Sequence, residues 1–326
     1  MNIKKKGYSK NGIIALCSAV YFVSYFSRKD FAAVLAGMIS EGIIDKTLGG
    51  FIGMGLFICY GAGQIISGYL GDKISPKKLI IFGLGTTMLC NLAMPLVPNT
   101  SLMIPVWALN GLAQAMLWPP IVRILSDNLS GEDFVTSNVV VTSAAHVATI
   151  LLYLYVPVCL EFMSWKAVFF SATVMAILAL VLFVICLGKV LPDNPYEKKQ
   201  EEKEKKALPE QAEEKNISYS SLIMRGGLIP IFGSIIMMGF LRDGIESWLP
   251  TLYSEAFNRD ASESILISVL LPIFSILSIL AIKVLYKTRL FKNEATGSII
   301  LFGISIGVCI PIYFLLDVEN AFLRVV

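Results

Sequence analysis

Charge is scarce in this chain. Only 16% of its 326 residues are Asp, Glu, Lys or Arg, 56% are hydrophobic, and the mean hydropathy is +0.71. That balance is too apolar for a water-soluble domain of this length. Histidine is nearly absent, with His146 standing alone, and the six cysteines (Cys17, Cys59, Cys90, Cys159, Cys186 and Cys309) fall singly inside apolar runs. With no CxxC pair and no His at metal-ligand spacing, neither a metal nor a disulfide is implied, and the cysteines read as small apolar packing groups. The sequence also lacks a glycine-rich loop followed by Lys-Ser/Thr, an HExxH motif, a candidate nucleophile and carboxylates paired at catalytic spacing. Nothing therefore points to ATP use, to a cofactor or to an enzyme.

Long apolar runs fill the space that charge leaves. A bilayer core needs roughly 20 mostly apolar residues per helix, and about nine runs meet that need: 11–39, 47–71, 78–97, 101–125, 134–160, 165–189, 225–252, 263–286 and 296–316. The expected fold class is an all-α membrane protein. Lys4, Lys5, Lys6 and Lys10 precede the first run, Lys73, Lys77 and Lys78 follow the second, and Lys287, Arg289 and Lys292 follow the eighth. These joints share one side, and an excess of cations marks it as cytoplasmic, which puts the N-terminus inside a cell (plasma or inner) membrane. The first run is too long, with charge too deep in it, for a cleaved signal peptide.

The apolar pattern breaks once. Residues 191–220 alternate Lys and Glu in blocks (EKKQEEKEKKALPEQAEEK), the composition of a solvated linker. It divides the chain into a six-helix half, 1–190, and a second half, 221–326, with about three helices. Transporters built from two related six-helix halves set the comparison, and on that template the chain reads as stopping three helices early.

Two segments place charge inside apolar runs, where it costs several kcal/mol and marks function by default. The first is Tyr21-Phe22-Val23-Ser24-Tyr25-Phe26-Ser27-Arg28-Lys29-Asp30. At about 100° per residue, Tyr21, Tyr25 and Arg28 share a helical face, offering two hydroxyls and a guanidinium fork suited to phosphate or carboxylate. A purely structural role would pair Arg28 or Lys29 with Asp30 or a neighbouring helix. The second segment is Leu241-Arg242-Asp243-Gly244-Ile245-Glu246-Ser247-Trp248-Leu249-Pro250, where Arg242 faces a midplane cavity or is neutralised along the helix by Glu246 four residues on. His146, on the face of Thr142 and Thr149, either donates to an anion or packs through a hydrogen bond. Tyr60 and Trp118 are equally at home in an ordinary aromatic core.

Gly68-Tyr69-Leu70-Gly71-Asp72-Lys73-Ile74-Ser75-Pro76-Lys77-Lys78 resembles the signature loop of the major facilitator superfamily. The Arg28-Lys29 pair, Trp118-Pro119-Pro120 with Arg123, His146, and Leu241-Arg242-x-Gly-Ile-x-x-Trp-x-Pro resemble the organophosphate:phosphate antiporters, such as the glycerol-3-phosphate and hexose-phosphate transporters. The resemblance implies exchange of inorganic phosphate for a phosphate ester, gripped by Arg28 and Arg242 in a cavity lined by Lys29, Tyr21, Tyr25, Tyr60, Trp118 and His146. Gly68, Asp72, Lys73, Lys77, Lys78 and Arg123 would latch the cytoplasmic side. Gln64 departs from the family, which carries lysine there, and the second-half loop, Lys283 to Lys292, keeps its cations without the Gly and Asp. Gln64 keeps open a cation-coupled symporter of an organic carboxylate such as a sugar acid. The sequence is also compatible with a transporter-like sensor of sugar phosphate that signals to a membrane histidine kinase, and with an inactive shortened product.

Overall fold

The computed structural model describes residues 9–190 and 228–287, with isolated positions at 297, 300, 303, 304 and 307. The expected linker 191–220 and most of the ninth run, 296–316, lie outside the described residues. Among the described residues ten α-helices follow in order: α1 Lys10–Ser40, α2 Lys46–Lys73, α3 Pro76–Ala93, α4 Met103–Gln114, α5 Trp118–Asn128, α6 Glu132–Phe162, α7 Trp165–Val190, α8 Leu228–Phe257, α9 Ala261–Ser268 and α10 Leu270–Lys287. Local chemistry sets the starts. Ser9 accepts from the Gly12 amide, Asp45 from the Leu48 amide at 2.7 Å, and Ser75 caps α3 ahead of Pro76, each satisfying a donor that a helix N-terminus leaves open.

Two of the expected spans are divided. The fourth breaks over Ala115–Leu117, because Pro119 and Pro120 offer no N–H and their rings crowd the carbonyls one turn back. The eighth breaks at Val269, where Pro272 acts in the same way on Ser268. The other described spans end within a few residues of their sequence-based bounds.

Six stretches among the described residues are long and apolar enough to cross a membrane: Lys46–Gly71, Pro76–Leu96, Thr100–Asn128, Glu132–Phe162, Trp165–Cys186 and Ala261–Ala281. The other two long helices, α1 and α8, are the ones whose apolar runs are interrupted by Arg28-Lys29-Asp30 and by Arg242-Asp243 with Glu246. Large apolar side chains such as Ile65, Phe82, Leu178 and Ile185 point outward. This is the surface of a multi-pass membrane protein.

In the first half α1 packs on α6 and α7, α2 on α4, and α3 on α4 and α7, while α8, α9 and α10 close against α1 and α6. Two apolar clusters occupy the two ends of α1. One joins Phe31, Trp107, Phe169 and Trp165 through successive ring contacts of 5.8 Å. The other gathers Ile80, Leu117, Ile121 and Phe183 around Tyr21 and Val20. Tyr25, one turn before Arg28, packs against both.

The α2–α4 contact depends on Gly111, where an added Cβ would stand 2.2 Å from the Leu56 carbonyl oxygen. Backbone cannot yield as a side chain would. Gly111→Ala is expected to force the helices apart and cost about 2 kcal/mol, seen as a lower midpoint in thermal unfolding of the detergent-solubilised protein. An unchanged midpoint would contradict this packing.

Candidate functional site

The charged stretch of α1 opens on a cavity of about 970 Å³. Arg28, Lys29 and Tyr60 line it from the first half, and Arg242, Asp243 and Trp248 line it from α8. The two arginines singled out by sequence thus share one cavity.

Arg28 is half-buried and held by aromatic faces. Its guanidinium carbon lies 4.4 Å from the Tyr25 ring centroid and 5.0 Å from that of Tyr60. Cation–π attraction steadies the charge while leaving guanidinium hydrogens for an incoming oxygen. Behind it the wall continues in rings: Tyr21 stands edge-on to Tyr25 at 5.0 Å and against Trp118 at 4.6 Å, and His146 lies 6.5 Å from Tyr25. Trp118 reaches this wall because the proline break starts α5 at that residue.

The other cations carry carboxylate partners. Arg242 forms a fork with its neighbour Asp243, at 3.1 Å from Nε and 3.2 Å from Nη2. Lys29 is buried and donates to Glu246 Oε2 at 2.5 Å, with Asp243 Oδ1 at 4.0 Å. Two pairings offered by the sequence are thereby corrected. Asp30 lies on the side of α1 away from Arg28, and Glu246 crosses to Lys29 in the other half instead of turning along its own helix to Arg242. Tyr153 adds a contact at 3.5 Å to the Glu246 carbonyl.

Of the remaining expected residues, Tyr21, Tyr25, Trp118 and His146 stand in the wall, outside the lining of this cavity. Gln64, one turn beyond Tyr60, also stands outside the lining, with Nε2 buried and unpaired among the described residues. Thr142 and Thr149 spend their hydroxyls on their own helix, on the carbonyls of Asn138 and Ala145, so they add little polarity around His146. Phe31, Trp107 and Trp248 line the cavity although the sequence did not single them out as ligands. Trp248 stands six residues from Arg242, about 120° around the helix, so periodicity gave no signal for it and its place in the Leu241–Pro250 segment was the available one.

At the end of α2, Lys73 donates to Tyr69 and also covers its ring, 4.2 Å from the centroid. Arg123 reaches this turn: its Nη1 lies 3.9 Å from where a Gly71 side chain would begin. The side chain of Asp72 lies outside the described residues. The opposite end of α2 meets α8 through Lys46 and Glu255 at 2.7 Å, and Gly50 faces Trp248.

A profile described as Major Facilitator Superfamily matches residues 17–325, nearly the whole chain. The chain belongs to the Major Facilitator Superfamily. Its relatives within the superfamily include the probable hexose phosphate transport protein of Chlamydia trachomatis serovar D, 27% identical over 158 residues that make up 48% of this chain and 35% of that protein. The glycerol-3-phosphate transporter of Bacillus subtilis is 27% identical over 244 residues, 71% of this chain and 54% of the relative. The membrane sensor protein UhpC of Salmonella typhimurium is 26% identical over 106 residues, 32% of this chain and 24% of that protein. The kinship with sugar-phosphate and glycerol-phosphate carriers expected from the motifs therefore holds. The chain spans about half the length of the glycerol-3-phosphate transporter, and less of the others. Among solved structures, that of a D-xylose-proton symporter matches with a TM-score of 0.63 and 12% identity, covering 85% of this chain and 69% of that one. That likeness places the fold.

Proposed function

We infer that this chain forms the anion-binding core of a secondary transporter exchanging inorganic phosphate for an organic phosphate ester. The observation carrying this reading is the single cavity that Arg28 and Arg242 share, one arginine from each half. Among the described residues Arg28, unlike Lys29 and Arg242, forms no close ion pair with a carboxylate, which suits its planar donors to bidentate contact with a phosphoryl group. Arg242 and Lys29 reach the anion by giving up Asp243 and Glu246. The incoming oxygens compete for the donors those carboxylates hold, so the anion weakens the bridge between α1 and α8 as it binds. That unequal affinity for bridged and unbridged states is what a ligand needs to drive rocking of the halves.

In this reading the N-terminus faces the cytoplasm, with the Gly68–Lys78 turn and Arg123 latching that side, while Lys46–Glu255 and Gly50–Trp248 meet at the outer end. His146, Tyr21, Trp118 and Gln64 shape the wall behind the guanidinium. Preloaded proteoliposomes should take up radiolabelled phosphate by counterflow, and Arg28→Ala should abolish it. Phosphate uptake that survives the substitution would refute the assignment.

The UhpC relative, named as a sensor, favours a second reading: the same cavity binds a sugar phosphate and reports to a membrane histidine kinase without vectorial flux. Saturable binding of a sugar phosphate with no counterflow, together with co-purification of a kinase, would decide for it.

A further inference from the structure

The face of α1 turned away from the anion cavity carries a second polar site. Ser27 and Asp30 of α1, Asn91 of α3 and Asn110 of α4 are each 0% exposed. Asn91 Nδ2 and Asn110 Nδ2 both donate to the Ser27 carbonyl at 3.1 Å, and Asn91 also donates to the Thr87 carbonyl at 3.0 Å. The Phe31 amide, which meets that same Ser27 carbonyl in the helical ladder, donates to Asp30 Oδ1 at 2.8 Å. These bonds draw the two amides and the carboxylate around one peptide group. Asn91 spends both amide hydrogens in this way, and four oxygens are left over: Asp30 Oδ2, Asn91 Oδ1, Asn110 Oδ1 and Ser27 Oγ have no partner among the described residues.

Four buried oxygens without a hydrogen-bond partner among the described residues, one of them on a carboxylate, are a costly arrangement inside a membrane bundle. The neighbouring cations are committed elsewhere, Lys29 to Glu246 and Arg28 to the two tyrosine rings. The polar groups tied to this peptide group from the packed helices are Asn91 on α3 and Asn110 on α4; of the other helices packed on α1, α6 presents His146 to Tyr25 and α8 presents Glu246 to Lys29, both toward the Arg28–Lys29 stretch, and α7 carries no charged residue between Lys166 and Lys189. A hard monovalent cation matches a donor set made only of oxygen.

We propose that Asp30, Asn91, Asn110 and Ser27 bind a small monovalent cation, Na⁺ or H⁺, between α1, α3 and α4. The site is separate from the anion cavity and shares its helix, two residues from Arg28, so its occupancy bears on how α1 sits. It does not require the phosphate reading to be correct.

The test is thermal unfolding of the purified chain in detergent, with sodium chloride against choline chloride at constant ionic strength, and in choline chloride from pH 8 down to pH 5.5, for wild type and Asp30→Asn. Sodium at about a hundred times its dissociation constant should raise the midpoint by about 5 °C in the wild type and not in the variant. A midpoint indifferent to sodium that rises with falling pH in the wild type, and stays flat in the variant, assigns the site to H⁺. Equal responses in the two proteins, or none in the wild type, overturn the proposal. Should Asp30→Asn fail to fold, Asn110→Ala replaces it and should move the midpoint of the cation titration by about tenfold. An unmoved titration there overturns the proposal as well.

Discussion

Arg28→Lys is expected to lower phosphate affinity by roughly a hundredfold while leaving the fold intact. The substitution keeps the charge and removes the fork. One ammonium cannot present two parallel donors to a phosphoryl group, and a lost charge-assisted hydrogen bond is worth about 3 kcal/mol in a desolvated site. The aromatic seat changes too, since the flat guanidinium that lies over the Tyr25 and Tyr60 rings gives way to a compact, strongly hydrated head. Equilibrium binding of radiolabelled phosphate to wild type and variant measures the difference, and thermal unfolding checks that the variant is folded. Equal affinity would mean that charge alone holds the anion, and the role of Arg28 as a bidentate ligand would fall.

Glu246→Gln is expected to have the largest effect on stability. Lys29 is 4% exposed and its close partner is Glu246 at 2.5 Å, with Asp243 only at 4.0 Å. Removing one member of a buried pair leaves the other charge uncompensated, at a cost of about 3 kcal/mol. For a chain of this size that corresponds to a midpoint lower by about 5 °C. The companion double variant Lys29→Met, Glu246→Gln removes both charges and should recover most of the loss. A single variant as stable as the wild type, or a double variant worse than the single, would show that Lys29 and Glu246 do not act as a pair across the halves.

Much of this architecture was legible because a bilayer imposes a simple length rule, and α1, α2, α6 and α7 follow it closely. The two divided spans carry their own marks, Pro119-Pro120 and Pro272, although the length rule runs straight through them. Partner choice was a different matter. Sequence spacing offered Glu246 to Arg242 along one helix and Asp30 to Lys29 as its neighbour, and both pairings were overridden by the approach of α8 to α1, which no local pattern encodes. Helical periodicity did foretell that Tyr21 and Tyr25 share the face of Arg28. It carried no depth, so it could not separate the residues that line the cavity from the rings that stand behind them. The buried amides Asn91 and Asn110 gave no signal at all, since a lone Asn in an apolar run shows its role only when its neighbours are known.

The ion pairs around the cavity have an electrical corollary. Among its described lining residues and their partners, Asp243 and Glu246 offset two of the three cations, and the charge of Arg28 is left over. Moving one elementary charge through a potential of 100 mV involves about 2.3 kcal/mol. An unloaded cavity would therefore feel the membrane voltage as it changes sides, whereas one holding a monoanion would be neutral and indifferent to it. An inside-negative potential would then oppose the empty step that carries this charge outward, favouring exchange over leak in that direction.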